Sequence, residues 1–177
     1  MGMKAKELVI RAGIDLDVLL KELNSAYCDE WLAYYQYWIG AKVAEGKMFH
    51  LIAQELAEHA GEELEHAEKL AKRIIELGGT PAISPDLWLK DSTCGYLTPE
   101  NPDAMHLLAQ NIQGERCAIE VYGKLLNMVA GKDPITEHLV REILEDELEH
   151  EQDLEDLHNS CNAGAKTCDA KPKAARK

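Results

Sequence analysis

Glu63-Leu64-Glu65-His66 recurs letter for letter as Glu147-Leu148-Glu149-His150. Each word has a partner upstream: Glu30 lies 33 residues before Glu63, and Glu115 lies 32 residues before Glu147. The text around these lone glutamates also repeats, as Glu-x-x-Ala-x-x-x-Tyr: Glu30, Ala33, Tyr37 and Glu115, Ala118, Tyr122. The chain therefore reads as a duplicated helical pair, each half carrying one Glu and one Glu-x-x-His. Two halves supply four carboxylates and two imidazoles, a donor set that holds two metal ions inside a four-helix bundle.

A single Glu-x-x-His carries little weight. With 21 Glu and 7 His in 177 residues, one such pair by chance is ordinary for an acidic helix surface. The chain has three, counting Glu155-x-x-His158. The joint register separates them. Residues three apart share a helix face, so Glu63 with His66, and Glu147 with His150, can converge on one ion. Each lone Glu and each of these pairs sits near the middle of its helix, so antiparallel hairpins bring all six to one height. Glu155/His158 lies 40 residues after Glu115, near a helix end, and reads as surface.

Punctuation marks out four long helices. The first runs from an Asp15 N-cap to Glu45, ended by Gly46. The second spans about 47–77 and stops at Gly78-Gly79 and Pro81. The third begins at Asn101-Pro102, as N-cap and N1, and ends at Gly131; the fourth begins at Asp133-Pro134 and fades near Asn159. Short first and third connections make those pairs antiparallel neighbours. The middle connection, residues 79–101, is long enough to cross the full length of the bundle, which places the second and third helices parallel. Leu87, Trp88 and Leu89 suggest a short packed helix within it. The predicted fold is all-α: one four-helix bundle over 1–158, followed by a basic tail over 159–177, low in apolar residues and expected to be disordered.

At 46% hydrophobic and 29% charged residues, the chain suits a single globular domain. No apolar run approaches a membrane span. The start, MGMKAKELVIRAGIDL, lacks a signal-peptide apolar core, and Lys6 stands where myristoylation wants Ser or Thr, so a cytoplasmic location is expected. Residues 159–177 hold five Lys/Arg and one Asp, a local +4, so the first 158 residues carry −17 against a net −13 for the chain. An acidic body attracts cations and repels nucleic acid, so DNA is an unlikely partner despite the tail. Five cysteines without a C-x-x-C pair argue against a structural disulfide framework.

The ligand chemistry agrees with the pattern. Four buried carboxylates without cations would repel one another. Carboxylate plus imidazole suits iron, and manganese equally. Glu63 and Glu147 are the expected bridging pair. Tyr37 and Tyr122, two turns beyond the lone glutamates, read either as hydrogen-bond donors to ligands across the bundle or as core. Glu58, Glu62 and Glu137 read as solvated surface, with iron access or nucleation as the functional alternative.

On these residues the chain resembles the ferritin-like superfamily over 15–158, and its di-iron carboxylate members in particular. The resemblance implies a ligand set of Glu30, Glu63, His66, Glu115, Glu147 and His150, with two iron ions per subunit. Leu64 stands where bacterioferritin has its haem-ligating Met, so no haem is expected. The polar tail cannot form bacterioferritin's apolar fifth helix, and rubrerythrin's C-x-x-C domain is missing. Typical Dps proteins build their site between subunits, whereas here one bundle holds a full set. The remaining likeness is to the Dps-like subgroup called thioferritin, which carries a cysteine pair near the iron. It implies that Cys94 and Cys117 are that pair, with Cys117 otherwise a small buried hydrophobe. It also implies a hollow dodecamer that oxidises Fe(II), preferably with hydrogen peroxide rather than oxygen, and stores the ferric product. Two other readings stand beside it: a rubrerythrin-like peroxidase without mineral, and a DNA-coating protein using the tail. Cys28 has no assigned role, and Cys161 and Cys168 read as capping thiols, metal scavengers or neither.

Overall fold

The computed structural model describes residues 3–168, with side chains for 4–161. Its elements are α1 (Met3–Arg11), α2 (Leu16–Val43), α3 (Phe49–Glu76), α4 (Pro85–Asp91), α5 (Ala104–Val129) and α6 (Pro134–Cys168). The four long helices form the bundle, so the expected all-α four-helix architecture holds.

Side-chain pairs fix the directions. Lys69 meets Glu142 and Glu62 meets His150, so α3 and α6 run antiparallel. Only residues 130–133 separate α5 from α6, and Arg116 reaches Glu151 across the pair, so these two helices are antiparallel as well. Helices α3 and α5 are therefore parallel, which requires the long crossover between them. Within it α4 packs on α2, Trp88 stacking on Trp31 with centroids 4.6 Å apart. The end of the crossover is pinned by Leu97 N–H donating to Gln36 Oε1 (2.8 Å) and Glu45 N–H donating to the Pro102 carbonyl (2.9 Å).

Helix ends follow local chemistry. Asp15 caps α2 as expected, Oδ1 accepting from Asp17 and Val18 N–H at 3.0 and 3.2 Å. The helix stops at Val43, slightly before Gly46, whose φ of 90° makes the turn. The expected Asn101 cap is corrected: Asp103 caps α5, Oδ1 accepting from Met105 and His106 N–H. The Pro102 carbonyl is committed to Glu45, so the backbone turns helical only after it. Gly78 makes the turn where α3 ends, at φ 86°, and a Cβ on Gly79 would press on the Leu20 and Ile74 side chains.

Two further differences appear. α1, with no counterpart among the four helices read from the punctuation, buries Val9 in the same apolar cluster as Leu19, Leu70 and Ile143. α6 continues past Asn159 to Cys168 and buries Cys161, so the disordered tail expected from 159 gives way to helix over that stretch. Residues 169–177, with most of the basic charge, lie outside the described residues, as does the Cys168 side chain. Among the described residues no helix is long and apolar enough to cross a membrane.

Candidate metal centre

Glu30, Glu63, His66, Glu115, Glu147 and His150 lie at mid-height in the bundle, each at most 3% exposed. They fall into two groups of four: Glu30, Glu63, His66 and Glu147, and Glu63, Glu115, Glu147 and His150. Glu63 and Glu147 belong to both. His66 Nδ1 faces Glu63 Oε2 at 3.3 Å, Glu147 Oε1 at 3.2 Å and Glu30 Oε2 at 3.6 Å. His150 Nδ1 faces the opposite oxygens, Glu63 Oε1 at 3.4 Å and Glu147 Oε2 at 3.7 Å, with Glu115 Oε2 at 3.8 Å. Each shared carboxylate thus offers one oxygen to each half.

The two tyrosines cross the bundle. Tyr37 Oη donates to Glu115 Oε1, and Tyr122 Oη donates to Glu30 Oε1. Each fixes one carboxylate oxygen and leaves Oε2 toward the imidazole. The duplicated sequence becomes a pseudo-twofold site in which each half's tyrosine steadies the other half's lone glutamate.

The outer nitrogens are held by residues that sequence reasoning missed or placed elsewhere. Asp146 Oδ2 lies 3.0 Å from His66 Nε2, and Glu62 Oε2 lies 2.9 Å from His150 Nε2. A carboxylate on the far nitrogen fixes ring orientation and turns Nδ1 inward as a donor. A signal existed: an acid precedes each repeated word, Glu62 before Glu63 and Asp146 before Glu147.

Burial, then the charges of Glu147 and Glu63, push the Glu30 and Glu115 carboxyls well above the usual range. Burial acts on Glu63 and Glu147 too, but the nearby imidazoles of His150 and His66 outweigh it and hold both below that range. Burial disfavours charge on the imidazoles, yet the glutamates raise His66 strongly and lift His150 to about 12. Protons thus neutralise a cluster that two divalent cations can neutralise instead. Both Glu147 oxygens and His150 Nδ1 are buried without a hydrogen-bond partner. Orphaned donor atoms of this kind, in a carboxylate–imidazole set, fit a pair of divalent cations.

A family model described as a ferritin-like domain matches residues 20–163. The chain belongs to the ferritin-like family. Among solved structures it is similar to a dodecameric thioferritin, the bacterioferritin-related protein of Bacteroides fragilis: 41% identity, 96% of this chain and 100% of that one, TM-score 0.91. A curated relative from Pyrococcus furiosus, a DNA protection during starvation protein, is 36% identical over 154 residues, 86% of this chain and 83% of that protein. An archaeal Dps homologue from Halobacterium salinarum shares the fold at 20% identity and TM-score 0.76, over 91% of this chain and 84% of that one.

In this ferritin-like bundle Cys94 and Cys117 form a disulfide, Cα atoms 5.7 Å apart, joining the crossover to α5. Asp29 Oδ1 accepts from Thr93 and Cys94 N–H at 2.9 and 2.8 Å and anchors the cysteine loop to α2. A cavity of about 190 Å³, lined in part by Cys94, Cys117 and Gln36, reaches Glu30, Glu115 and Glu147. Cys28 is buried outside the site; burial and nearby Asp91 push its thiol to about 11. Glu155 pairs with Arg116, in keeping with its surface reading, and Glu137 pairs with Arg141.

Proposed function

We propose that the chain is a ferroxidase and iron-storage protein. It oxidises Fe(II) at a dinuclear site within one subunit, with hydrogen peroxide the preferred oxidant over oxygen, and keeps the ferric product in a hollow dodecamer that protects against oxidative damage in the cytoplasm. The observation that carries this reading is the pair of buried four-donor groups sharing Glu63 and Glu147, whose oxygens face one imidazole in each group.

The six ligands would be Glu30, Glu63 and Glu147 with His66 for one Fe(II), and Glu63, Glu115 and Glu147 with His150 for the other. The same donors accept manganese. Tyr37 and Tyr122 keep the terminal glutamates oriented, and Asp146 and Glu62 keep each Nδ1 turned inward. One peroxide takes one electron from each of two Fe(II) ions and, with two protons, becomes two waters. Adjacent ions thereby spare the single-electron cleavage that releases hydroxyl radical. The cavity beside Cys94–Cys117 is roomy enough for the oxidant, since a water's share of liquid is only about 30 Å³.

The deciding experiment is anaerobic Fe(II) loading followed by separate additions of peroxide and oxygen, tracking ferric absorbance and iron retained per subunit. Fast oxidation by peroxide with many irons retained supports storage. Oxidation that stops near two irons and resumes only with a reductant supports a second reading favoured by the disulfide: a rubrerythrin-like peroxidase relaying electrons through Cys94 and Cys117. A third reading, DNA coating through the tail, predicts loss of DNA retention when residues 160–177 are deleted.

A further inference from the structure

The cavity beside Cys94–Cys117 meets the dinuclear centre on one side only. Glu30, Glu63, Glu115 and Glu147 line it, whereas neither His66 nor His150 does. The rest of the wall offers little to a polar guest. Ala33, Leu97, Gly114, Ala118 and the disulfide supply small or apolar surface. Gln36 and Asn111 line it too, but their amides are spent. Gln36 Nε2 donates to Asn111 Oδ1 (3.0 Å), Gln36 Oε1 accepts Leu97 N–H (2.8 Å), and Asn111 Nδ2 donates to the Leu107 carbonyl (2.8 Å). Asp29 and Gln113 are the remaining polar side chains, and Asp29 commits Oδ1 to the cysteine loop. No Lys, Arg or His lines the cavity, so its wall holds no counter-ion for an anion.

Two of the small residues come from the duplicated text. Ala33 and Ala118 stand three residues after Glu30 and Glu115, on the same helix face as those ligands. The fold brings both to this one cavity. Its volume, about 190 Å³, exceeds what hydrogen peroxide needs. A water takes about 30 Å³ of liquid, and an apolar cavity of about 150 Å³ holds benzene.

We propose that the centre also reduces small alkyl hydroperoxides, neutral molecules R–O–O–H. The alkyl group lies against Ala33 and Ala118, and the peroxy end faces the four glutamates and the ions they hold. This inference rests on the dinuclear ferroxidase reading above. The O–O bond breaks and takes one electron from each of two Fe(II), which become Fe(III). With two protons, the alkoxy oxygen leaves as R–OH and the other oxygen as water.

The test loads the assembled full-length protein anaerobically with Fe(II) and mixes it with tert-butyl hydroperoxide or with hydrogen peroxide. Stopped-flow absorbance follows the ferric product, and gas chromatography follows the organic one. The wild type is expected to react with both and to give one tert-butanol for every two Fe(III). Acetone, the mark of a tert-butoxyl radical from one-electron cleavage, would overturn the two-electron step. Ala118→Leu and Gly114→Ala narrow the cavity; a Cβ on Gly114 meets Gln36 Nε2 at an ordinary 3.8 Å. In each, the rate constant for tert-butyl hydroperoxide relative to that for hydrogen peroxide is expected to fall about tenfold or more, the effect of a methylene that a pocket cannot accommodate. Xenon-pressurised crystals give a reading independent of the reaction: xenon is expected against Ala33 and Ala118 in the wild type and absent from Ala118→Leu. No oxidation by either peroxide would remove the dinuclear reading itself. Fast reaction with hydrogen peroxide alone, an unchanged ratio in both variants, or a wild-type cavity that takes no xenon overturns this proposal and leaves that reading standing.

Discussion

At the scale of single residues, Glu63 and Glu147 carry the most chemistry, because each serves both halves of the site through opposite oxygens. Replacing either with Ala is expected to abolish rapid Fe(II) oxidation and leave assembly intact; stopped-flow absorbance with size-exclusion chromatography checks both. Wild-type rates in both variants would refute the assignment. Loading must also displace protons. His66 and His150 are raised by the surrounding glutamates, the latter to about 12, so a metal that takes their Nδ1 lone pairs expels a proton from each. Glu30 and Glu115, also raised, add to this. Affinity is therefore expected to fall as pH falls, and anaerobic Fe(II) addition in weak buffer should release at least two protons per subunit. Binding that leaves the pH unchanged would contradict this.

At the scale of elements, the turn from α5 to α6 is tied to α3 by a buried ion pair. Arg73 donates to Asp133 Oδ2 (2.8 Å) and to Thr136 Oγ1 (2.8 Å), and Asp133 Oδ1 accepts Ile135 N–H at the start of α6. Arg73→Met leaves Asp133 buried without its cation and is expected to cost about 3–5 kcal/mol, read from urea unfolding. Burial raises the Asp133 carboxyl, but bonds from Thr136 and Arg73 win and set it below its ordinary value of 3.8. A folded-state pKa that is lowered stabilises above the unfolded value and is lost as pH falls through the folded one. Asp133→Asn should therefore flatten the loss of melting temperature on acidification below about pH 4. Met48 is the opposite case. It begins α3 with φ 63° and no side-chain cap, a conformation that costs a residue with a Cβ about 1 kcal/mol. Met48→Asn, which tolerates that region and can cap, is expected to raise the melting temperature.

At the scale of the whole molecule, one face of α2 carries half-exposed Tyr35 and Trp38, with Tyr96 of the crossover against Tyr35. Exposed aromatics at this density suit burial against another copy. Light scattering coupled to size-exclusion chromatography is expected to find a dodecamer. Tyr35→Glu/Trp38→Glu, which puts charge on this face, is expected to yield smaller species that still oxidise iron at the intra-subunit site. A monomeric wild type would remove the storage half of the proposed function.

The repeat of Glu-x-x-His with its spaced partner Glu determined the fold class and all six clustered residues from the chain alone, because helical periodicity turns spacing into height and face. Strong punctuation did the same for the four long helices, through Asp15, Gly78-Gly79 and Gly131, but gave no sign of α1. What depended on three-dimensional contact was not legible. Asp103 displaces Asn101 as the α5 cap because the Pro102 carbonyl pairs with Glu45, 57 residues earlier. α6 outruns its polar sequence to Cys168 and places Cys161 among the buried residues that surround Leu154 and Ile52. Glu62 and Asp146 acquire their places only when α3 and α6 come together, since an acid on an acidic helix looks like solvated surface until the opposing helix brings an imidazole within reach. Ligand spacing along one helix is a local property written in the chain, whereas the groups that orient and surround those ligands come from neighbouring helices and are decided by packing.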